Sequence, residues 1–475
     1  MNKNMKKILL IEPGARHTLY PPIGLMHLAA VLRDKYQIVI KDYSGEEIDS
    51  YKIKKDMESI NPFIVGIRVL TGPPIPRALE ISRIAKELNK IVVWGGPHPT
   101  ILPEQTLKNP LIDAVVIGEG EITFQNLLKH YEGKKVNLDG TGIKIQGRIK
   151  IMPAPKKFVK LDEVPLPAWD LLENIDRYFP YKKNNSIPIS TTRGCAFKCG
   201  FCHNSNSNVK CYLGPYRIAD PKRAIEEFKF VQGLTKNKIE VLDVGEDLHL
   251  VSKDYAKRFC EVLNKSGLKL KWITAARYQV LDQELIKMIK DSGCVSIMLG
   301  VESGSKRIQK LNNKVIDLEK AIEIAKNIRK NGIFLRNTYI FGHPTETLEE
   351  LKETINYIKK IPADENLIQL YRPMPGTPYF DLSILKNKVK VPDNLEGWKG
   401  FGVLGNDLNV SDVPDKILFS EFYRINFFQQ IFYWINQQRF FLRNGLKEEF
   451  LNNFINNRFT FKLKEYLETK NAKLN

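Results

Sequence analysis

The sequence is poor in cysteine and lacks long apolar runs. Six cysteines in 475 residues are too few for a disulfide framework, and a reducing compartment would not preserve one. No apolar stretch approaches the length of a membrane span, and the one at residues 8–11 is too short for a signal-peptide core. We therefore expect a cytoplasmic protein and, from its length, one with two or three domains.

The sequence also lacks the common motifs for nucleic acids and nucleotides. Its 73 basic and 54 acidic residues give a net charge of +19, but the Lys and Arg are scattered and no RNA- or DNA-binding motif accompanies them. The segment "GGPHPT" (95–100) is neither a GxGxxG turn nor a Walker loop. A solvated, lysine-rich surface is the favoured interpretation, and no nucleic-acid partner is expected.

Short apolar segments alternate with helical patterns over residues 6–131. Uninterrupted apolar strands separated by helices predict a doubly wound parallel sheet, which is a Rossmann-like α/β fold. Ligands of such sheets bind at the carboxyl ends of the strands. The glycine-rich segments of this chain, 71–74, 95–100 and 118–121, are predicted at those ends.

A second alternating series follows. Six strand candidates between residues 186 and 371 fall short of the eight strands of a closed barrel, so an open partial (β/α)6 barrel is predicted, with its function at the strands' carboxyl ends. From about residue 386 the strand patterns stop. The predicted organisation comprises a Rossmann-like domain (1–135), a linker with a small hairpin (136–185), the partial barrel (186–385) and an α-helical region (386–475).

Three cysteines stand close together directly after the first strand of this second series. Cys195, Cys199 and Cys202 lie in "STTRGCAFKCGFCHNS" (190–205). Structural zinc sites usually have four ligands, and an iron–sulfur cube normally uses four thiolates. Three thiolates would leave one iron open to a non-protein ligand, while a zinc site completed by His203 stays an alternative. We interpret Cys260 and Cys294 as buried thiols and place Cys211 in a loop without an assigned role.

The CxxxCxxC spacing after the first strand of a partial barrel resembles the radical S-adenosylmethionine enzymes. The resemblance implies that the three thiolates hold a 4Fe–4S cluster whose fourth iron is chelated by S-adenosylmethionine. Further elements follow in the family's order: "VGED" (244–247), "ITAARY" (273–278), "LGVESGS" (299–305) and "IFGHPTET" (340–347). The S-adenosylmethionine contacts that the resemblance implies are Phe201, Gly245, Glu246, Thr274, Arg277, Glu302 and Gly342.

The first series resembles the cobalamin-binding domains that precede many of these barrels, through "PPIGLMHLAAVL", "GGPHPT" and "IGEGE". The DxHxxG motif that supplies a histidine below cobalt is missing, so the resemblance implies cobalamin bound without such a ligand. The residues that it implies for this site are Thr71, Gly95, Gly96, His98, Gly118 and Glu119. His98, which has proline on both sides, also suits a structural role. The alternative is a domain that has lost its cofactor and only covers the barrel.

Together, the two resemblances imply an enzyme that methylates an unactivated carbon or phosphorus centre, using methylcobalamin and a 5′-deoxyadenosyl radical. The substrate would be a small molecule or lipid-like, and an electron donor such as ferredoxin or flavodoxin would be needed. The chain is also similar to the anaerobic magnesium-protoporphyrin ester cyclase group, so radical cyclisation or rearrangement is an alternative. A non-catalytic cobalamin or redox sensor is a third.

The carboxyl-terminal region is rich in aromatic residues at helical spacing. Phe419, Tyr423, Phe427 and Ile431 recur at steps of four, which predicts one continuous apolar helical face. This face would pack over the open barrel. Alternatively, it would line a pocket for a large apolar substrate or rest peripherally on a membrane surface.

Overall fold

The structure is a computed structural model that describes residues 5–15, 19–179, 185–245, 249–402, 405 and 407–443. The described residues form two compact units. The first draws on residues 1–178, 192–220 and 372–407, and the second on residues 179–191, 221–371 and 408–475. Residues 192–220 and 372–407 therefore belong to the first unit, although segments of the second unit precede and follow each of them in the sequence.

The first unit contains a sheet in the order β2-β1-β3-β4-β5-β6-β7, and its first five strands run parallel. The side chains of β1, β3, β4 and β5 are almost all buried, because helices cover both faces of a doubly wound sheet. The predicted Rossmann-like fold is confirmed. The parallel strands are β1 (Lys7–Glu12), β2 (Gln37–Asp42), β3 (Ile64–Arg68), β4 (Ile91–Gly95) and β5 (Ala114–Val116). The helices of this unit are α1 (Ile23–Leu32), α2 (Ser50–Ile60), α3 (Pro74–Glu87), α4 (Pro97–Ile101), α5 (Pro103–Lys108), α6 (Gly120–Tyr131), α7 (Ser207–Leu213) and α14 (Pro378–Leu385).

A hairpin extends this sheet at one edge. Strands β6 (Thr141–Ile145) and β7 (Arg148–Ile151) pair antiparallel, and β6 pairs antiparallel with β5. We placed this hairpin within the linker 136–185. Its pairing with the short strand β5 instead makes it part of the first sheet, because β5 offers an open edge whose backbone groups need partners.

The second unit contains six parallel strands in the order β15-β14-β13-β12-β11-β8, which confirms the open six-stranded partial barrel. They are β8 (Asn185–Pro188), β11 (Ile239–Val244), β12 (Lys271–Ala276), β13 (Cys294–Glu302), β14 (Phe334–Phe341) and β15 (Glu365–Leu370). The helices that connect and cover them are α8 (Pro221–Leu234), α9 (Lys253–Lys265), α10 (Gln283–Asp291), α11 (Lys306–Leu311), α12 (Leu318–Lys330) and α13 (Leu348–Lys360).

Shorter elements complete the description. A two-stranded antiparallel ribbon in the first unit consists of β9 (Thr192–Arg193) and β10 (Arg217–Ile218). Short 3₁₀ helices lie at Leu161–Glu163, Trp169–Leu171, Ile175–Tyr178, His203–Ser205, Tyr278–Val280 and Glu396–Gly400.

A long helix, α15 (Asp415–Arg443), packs against the edge strand β15. Its buried face differs from the predicted one: Leu418, Ile425 and Asn426 are buried, whereas the Phe427 side chain is 45% exposed. The reason is that contact with the strand selects the face that holds Gln429, which accepts a hydrogen bond from the Asn366 amide at 3.2 Å. The side chain of Ile431 and residues 444–475 lie outside the described part of the chain.

The helices within the described ranges were also compared with what a membrane span requires. None of them is both long enough and apolar enough to cross a bilayer.

Candidate functional site

A cavity of about 200 Å³ lies at the carboxyl ends of the first unit's parallel strands. Strands β3, β4 and β5 contribute residues to its wall, and the segment that leads from β5 into α6 completes it. Four of the residues predicted to bind cobalamin line this cavity: Gly95, Gly96, Gly118 and Glu119. This position at the strand ends is the usual ligand site of a doubly wound sheet.

Two of these positions require glycine. Gly118 has a φ of +80°, and a Cβ atom there would lie 2.2 Å from the carbonyl oxygen of Tyr212. Gly96 has a φ of +93°, and a Cβ atom there would lie 3.2 Å from backbone atoms of Val69. Glycine tolerates both the left-handed backbone and the close approach, which side chains would prevent. The cavity wall is therefore built by backbone packed on backbone.

Thr71 and His98 were also predicted to bind cobalamin, but they stand outside the cavity lining. Both are buried, and the Thr71 hydroxyl lies 3.1 Å from Nδ1 of His98. The imidazole also meets the Trp398 ring edge-on at 6.1 Å. Burial lowers the pKa of His98 to about 3, so the ring is neutral. These contacts support the structural interpretation of His98.

Two ion pairs border the cavity. Glu119 Oε2 accepts from Nη1 of Arg217 at 3.1 Å, and Glu121 Oε1 accepts from Nη2 of Arg193 at 3.0 Å. Burial raises the pKa of Glu119, while the hydrogen bond from Arg217 opposes that shift. We did not predict either arginine from the sequence. One precedes Cys195 by two residues and the other follows the three cysteines, and this position alone does not mark them as functional.

The three clustered cysteines lie on the loop that the β9–β10 ribbon closes. All three side chains are half-buried and form no disulfide, and the Cys202 N–H donates to the Cys199 carbonyl at 3.1 Å. Within the described ranges, no three His, Cys, Asp or Glu side chains are arranged closely enough to hold a metal ion. The loop thus supplies the thiols without arranging them around a common centre.

The other cysteines have different surroundings. Cys211 lies on α7 and is exposed, so our prediction of a loop at this position is wrong. A helix forms there because the Asn206 side chain accepts from the Val209 N–H at 3.2 Å and caps it. Cys260 and Cys294 are buried, as expected, and burial raises the pKa of both thiols.

The segment after residue 371 packs on the cysteine loop. The Asn206 side-chain amide donates to the Gly376 carbonyl at 3.0 Å, and the Tyr379 N–H donates to the Gly200 carbonyl at 3.1 Å. Phe201, predicted to contact S-adenosylmethionine, lies half-buried on this loop between the second and third cysteines. The cysteine loop, the cavity and this segment all belong to the first unit.

The other predicted S-adenosylmethionine contacts stand at the carboxyl ends of successive strands in the second unit. Gly245 follows β11, and its N–H donates to Asp243 Oδ1 at 2.9 Å. Thr274 is buried near the end of β12, and Arg277 follows that strand. Glu302 ends β13, and Gly342 follows β14. Glu246 lies outside the described residues.

Glu302 forms a buried ion pair that the sequence did not indicate. Its Oε1 lies 2.6 Å from Nζ of Lys314, and each of the two side chains is 9% exposed. Glu302 has a φ of +67°, and a Cβ atom on Gly300 would lie 2.2 Å from the Lys314 ammonium. The strained backbone and the glycine together leave room for a charged pair at the strand end.

Glu346 is a second buried acid in this unit, in the loop after β14. Its Oε2 accepts from the Gly342 N–H at 2.7 Å, and no described residue hydrogen-bonds to its Oε1. Burial raises the pKa of this carboxyl to about 8, so it is mostly protonated at neutral pH. The acid therefore holds the Gly342 turn without introducing a full charge.

These residues fit the predicted cofactors by donor type and shape. Three cysteine thiols on one loop match the donor set of an iron–sulfur cluster that leaves one iron open. The cavity wall includes glycines whose Cβ atoms would collide with neighbouring backbone, and at about 200 Å³ the cavity has room for part of a cofactor as large as cobalamin. The strand ends of the second unit offer carboxylate and hydroxyl groups for a small polar ligand.

Two protein-family models match the chain. The B12 binding domain matches residues 14–128, and the radical SAM superfamily matches residues 189–358. The first range contains the residues that supply most of the cavity wall, and the second begins just before the cysteine loop and extends into α13.

Curated relatives are similar over most of the chain. An uncharacterized methyltransferase of Pyrococcus horikoshii is 32% identical over 80% of this chain and 84% of its own length. The anaerobic magnesium-protoporphyrin IX monomethyl ester cyclase of Rubrivivax gelatinosus is 28% identical over 79% of this chain and 68% of its own length.

A solved structure shares the fold. The radical S-adenosylmethionine methyltransferase TsrM of Kitasatospora setae, determined with cobalamin and a 4Fe–4S cluster bound, gives a TM-score of 0.66. It is 17% identical and covers 82% of this chain and 79% of its own. At that identity the likeness concerns the fold.

Proposed function

Because the chain belongs to the radical S-adenosylmethionine enzymes that carry a B12-binding domain, we propose that it methylates an unactivated carbon or phosphorus centre. The substrate in this proposal is a small molecule or lipid-like. The observation that carries the proposal is that one compact unit contains both the three-cysteine loop and the glycine-walled cavity. A radical generator and a methyl carrier are the two parts that this chemistry needs.

The enzyme's cofactors are a 4Fe–4S cluster, S-adenosylmethionine and cobalamin. When bound, they supply the electron, the radical precursor and the methyl carrier, and the protein supplies binding and orientation. We assign Cys195, Cys199 and Cys202 to the cluster. Their thiols are half-buried, so the loop screens them partly from water while leaving one side open.

The cavity residues hold part of the cobalamin in this proposal. Gly96 and Gly118 allow the wall to pack closely on the backbone of Val69 and Tyr212, and Glu119 provides an acceptor at the wall. Thr71 and His98 support the adjoining loop from outside the lining. His98 is buried outside the cavity lining, in line with cobalamin that takes no histidine ligand from this domain.

The strand ends of the second unit hold S-adenosylmethionine in this proposal. Thr274 and Glu302 offer oxygen atoms to amino and hydroxyl groups, and Arg277 offers a cation to a carboxylate. The turns at Gly245 and Gly342 expose backbone groups. Lys314 supplies the opposite charge for the buried Glu302 carboxylate at the end of its strand.

Location and electron supply complete the proposal. Free thiols that hold a cluster require a reducing compartment, which favours the cytoplasm. A low-potential carrier such as ferredoxin or flavodoxin would deliver the electron. Peripheral membrane contact through α15 is a further possibility for a lipid-like substrate, since Phe427 and Phe428 are exposed on that helix.

A product analysis tests the proposal. The anaerobically reconstituted protein is incubated with S-adenosylmethionine, cobalamin, a strong reductant and a fraction of candidate substrates. A methyltransferase gives both 5′-deoxyadenosine and S-adenosylhomocysteine, a cyclase gives 5′-deoxyadenosine alone, and a sensor gives neither. The variant without the three cysteines serves as the blank. Absence of S-adenosylhomocysteine with every substrate fraction would overturn the methylation.

Radical cyclisation is the second candidate function, and one observation favours it. The similarity to the magnesium-protoporphyrin ester cyclase covers 79% of this chain, nearly the same share as the similarity to the methyltransferase of Pyrococcus horikoshii. The higher identity to the methyltransferase makes methylation the first candidate.

A further inference from the structure

Two arginines face each other across the short ribbon that closes the cysteine loop. Arg193 on β9 and Arg217 on β10 are direct cross-strand partners. Like charges at such positions destabilise a strand pair unless each finds an opposite charge. The ribbon brackets the segment that holds all three clustered cysteines, so whatever stabilises this pair also fixes both ends of the loop.

The opposite charges come from one short segment before and within the start of α6. Glu119 pairs with Arg217 and Glu121 pairs with Arg193, and the carboxylate side chains are 7% and 6% exposed. The two arginine side chains are 17% and 22% exposed. We call these four residues the clamp. Its pairs are much less accessible than ordinary surface ion pairs, so they are less screened by solvent.

Arg217 is held from several sides. Besides Glu119, it donates to the carbonyls of Val159 at 2.7 Å and Leu213 at 2.8 Å. Its guanidinium also lies 5.4 Å from the centre of the Phe158 ring. An arginine held by this many partners has little freedom to rotate its side chain. A shift of Glu119 is therefore expected to move Arg217 and the ribbon strand that carries it.

The clamp also forms part of the cavity wall. Glu119, Glu121 and Arg193 all line the cavity, together with His203 from the cysteine loop. Gly118 lies close to the carbonyl of Tyr212 on α7, since a Cβ atom on Gly118 would lie 2.2 Å from that oxygen. A ligand that enters the cavity therefore touches the residues that hold the stem of the cysteine loop.

We propose that the clamp couples the two cofactor sites, so that an assembled cluster increases the affinity of the cavity for cobalamin and bound cobalamin favours cluster assembly. Arg193 and Arg217 are positioning residues in this proposal. It rests on the proposed function, which assigns the cavity to cobalamin and the loop to the cluster. Because linkage is reciprocal, the same factor applies in both directions, and couplings of this kind are typically about 5- to 150-fold.

The test is a titration of the full-length protein with hydroxocobalamin, before and after anaerobic reconstitution of the cluster, followed by visible absorbance. In the wild type we expect the cluster to lower the dissociation constant at least about fivefold. In the double variant Arg193→Gln/Arg217→Gln this ratio falls to about one. The matched control is Arg33→Gln, which removes a bidentate arginine–carboxylate pair with Asp170 elsewhere in the first unit and should leave the ratio unchanged.

The outcomes separate the coupling from the proposed function. A wild type that binds no hydroxocobalamin or no iron overturns the proposed function and removes the basis of the coupling. A wild type that binds both, with the same ratio in the double variant, overturns the coupling alone. If the double variant fails to fold by circular dichroism, Arg217→Lys is used. It keeps the charge but loses the fork-shaped donor set, so we expect an intermediate ratio, and a wild-type ratio overturns the proposal.

Discussion

The parallel strands of the two units carry different residue types at their carboxyl ends. In the first unit the edge is shaped by glycines, and Gly96 and Gly118 bring backbone against backbone around a cavity. In the second unit the edge carries buried acids, Glu302 paired with Lys314 and Glu346 held by the Gly342 N–H. In parallel α/β sheets, ligands bind at the carboxyl ends of the strands. The residue types at those ends therefore decide which kind of ligand each unit suits.

The difference suits two kinds of ligand. The cavity of the first unit, lined by glycine backbone together with apolar and ion-paired side chains, gives room and shape, which a large, flat cofactor needs. An edge with charged groups offers directional hydrogen bonds, which a small polar molecule with amino, carboxylate and hydroxyl groups needs. The cysteine loop, although its sequence follows the first barrel strand, packs with the glycine-walled unit.

The largest effect is expected from removal of the three clustered thiols. We expect the triple variant Cys195→Ala/Cys199→Ala/Cys202→Ala to lose the whole cluster, since these thiols supply all its protein ligands in our assignment. Iron content and the absorbance of the reconstituted protein measure this. Cys211→Ala, which removes the exposed thiol on α7, is the control and should keep its iron. Four iron atoms per chain in the triple variant would refute the assignment.

The next largest effect is expected from removal of the buried Glu302–Lys314 ion pair in the second unit. Lys314→Met leaves the Glu302 carboxylate buried without its cation, so the free energy of unfolding should fall by roughly 3–5 kcal/mol. Chemical denaturation measures this. The control Lys257→Met breaks the exposed pair with Glu284 and should cost far less, because solvent screens that pair. Equal losses in the two variants would show that the buried pair has no special role.

A methyl group at Gly118 should lower the free energy of unfolding by a smaller amount. Gly118→Ala combines a left-handed backbone with a collision at the Tyr212 carbonyl, so we expect a loss of about 1–3 kcal/mol and weaker cobalamin binding. Gly133→Ala is the matched control, because Gly133 has a φ of +83° but no atom within 4 Å of its would-be Cβ. Thermal unfolding and hydroxocobalamin titration should separate them. Equal losses of stability in the two variants would mean that the positive φ alone causes the loss and that the collision with Tyr212 does not contribute.

A further expected effect concerns Glu346 and depends on pH. Its folded pKa of about 8 lies above the ordinary value of 4.5, so its contribution to stability is complete below pH 4.5 and is lost as the pH rises to about 8. Glu346→Gln stays neutral, and we expect it to be less pH-dependent than the wild type across this range, with a small difference at the acidic end. Denaturation at several pH values measures this.

The control for that experiment is Glu349→Gln, which removes a neighbouring carboxylate that is exposed instead of buried. Parallel wild-type and Glu346→Gln profiles between pH 5 and pH 8 would contradict a raised pKa for Glu346.

Patterns of short range predicted much of this architecture. Uninterrupted apolar strands with helices between them indicated both sheets, because burial on two faces leaves a direct trace in the sequence. The cysteine spacing indicated a metal-binding loop for the same reason, since its donors are neighbours along the chain. The face of α15 was harder to predict, because several aromatic stripes compete and the contact with β15 selects one.

By itself, the sequence determined the two α/β series, the glycine positions at the strand ends and the three thiols, since each depends on residues close together in the chain. Tertiary structure alone decided that the cysteine loop packs with the first unit and that Arg193 and Arg217 meet glutamates 72 and 98 residues away. It also decided that Lys314 neutralises Glu302. Charges pair wherever folding places them at hydrogen-bonding distance, and no local periodicity records which partner a distant segment will bring.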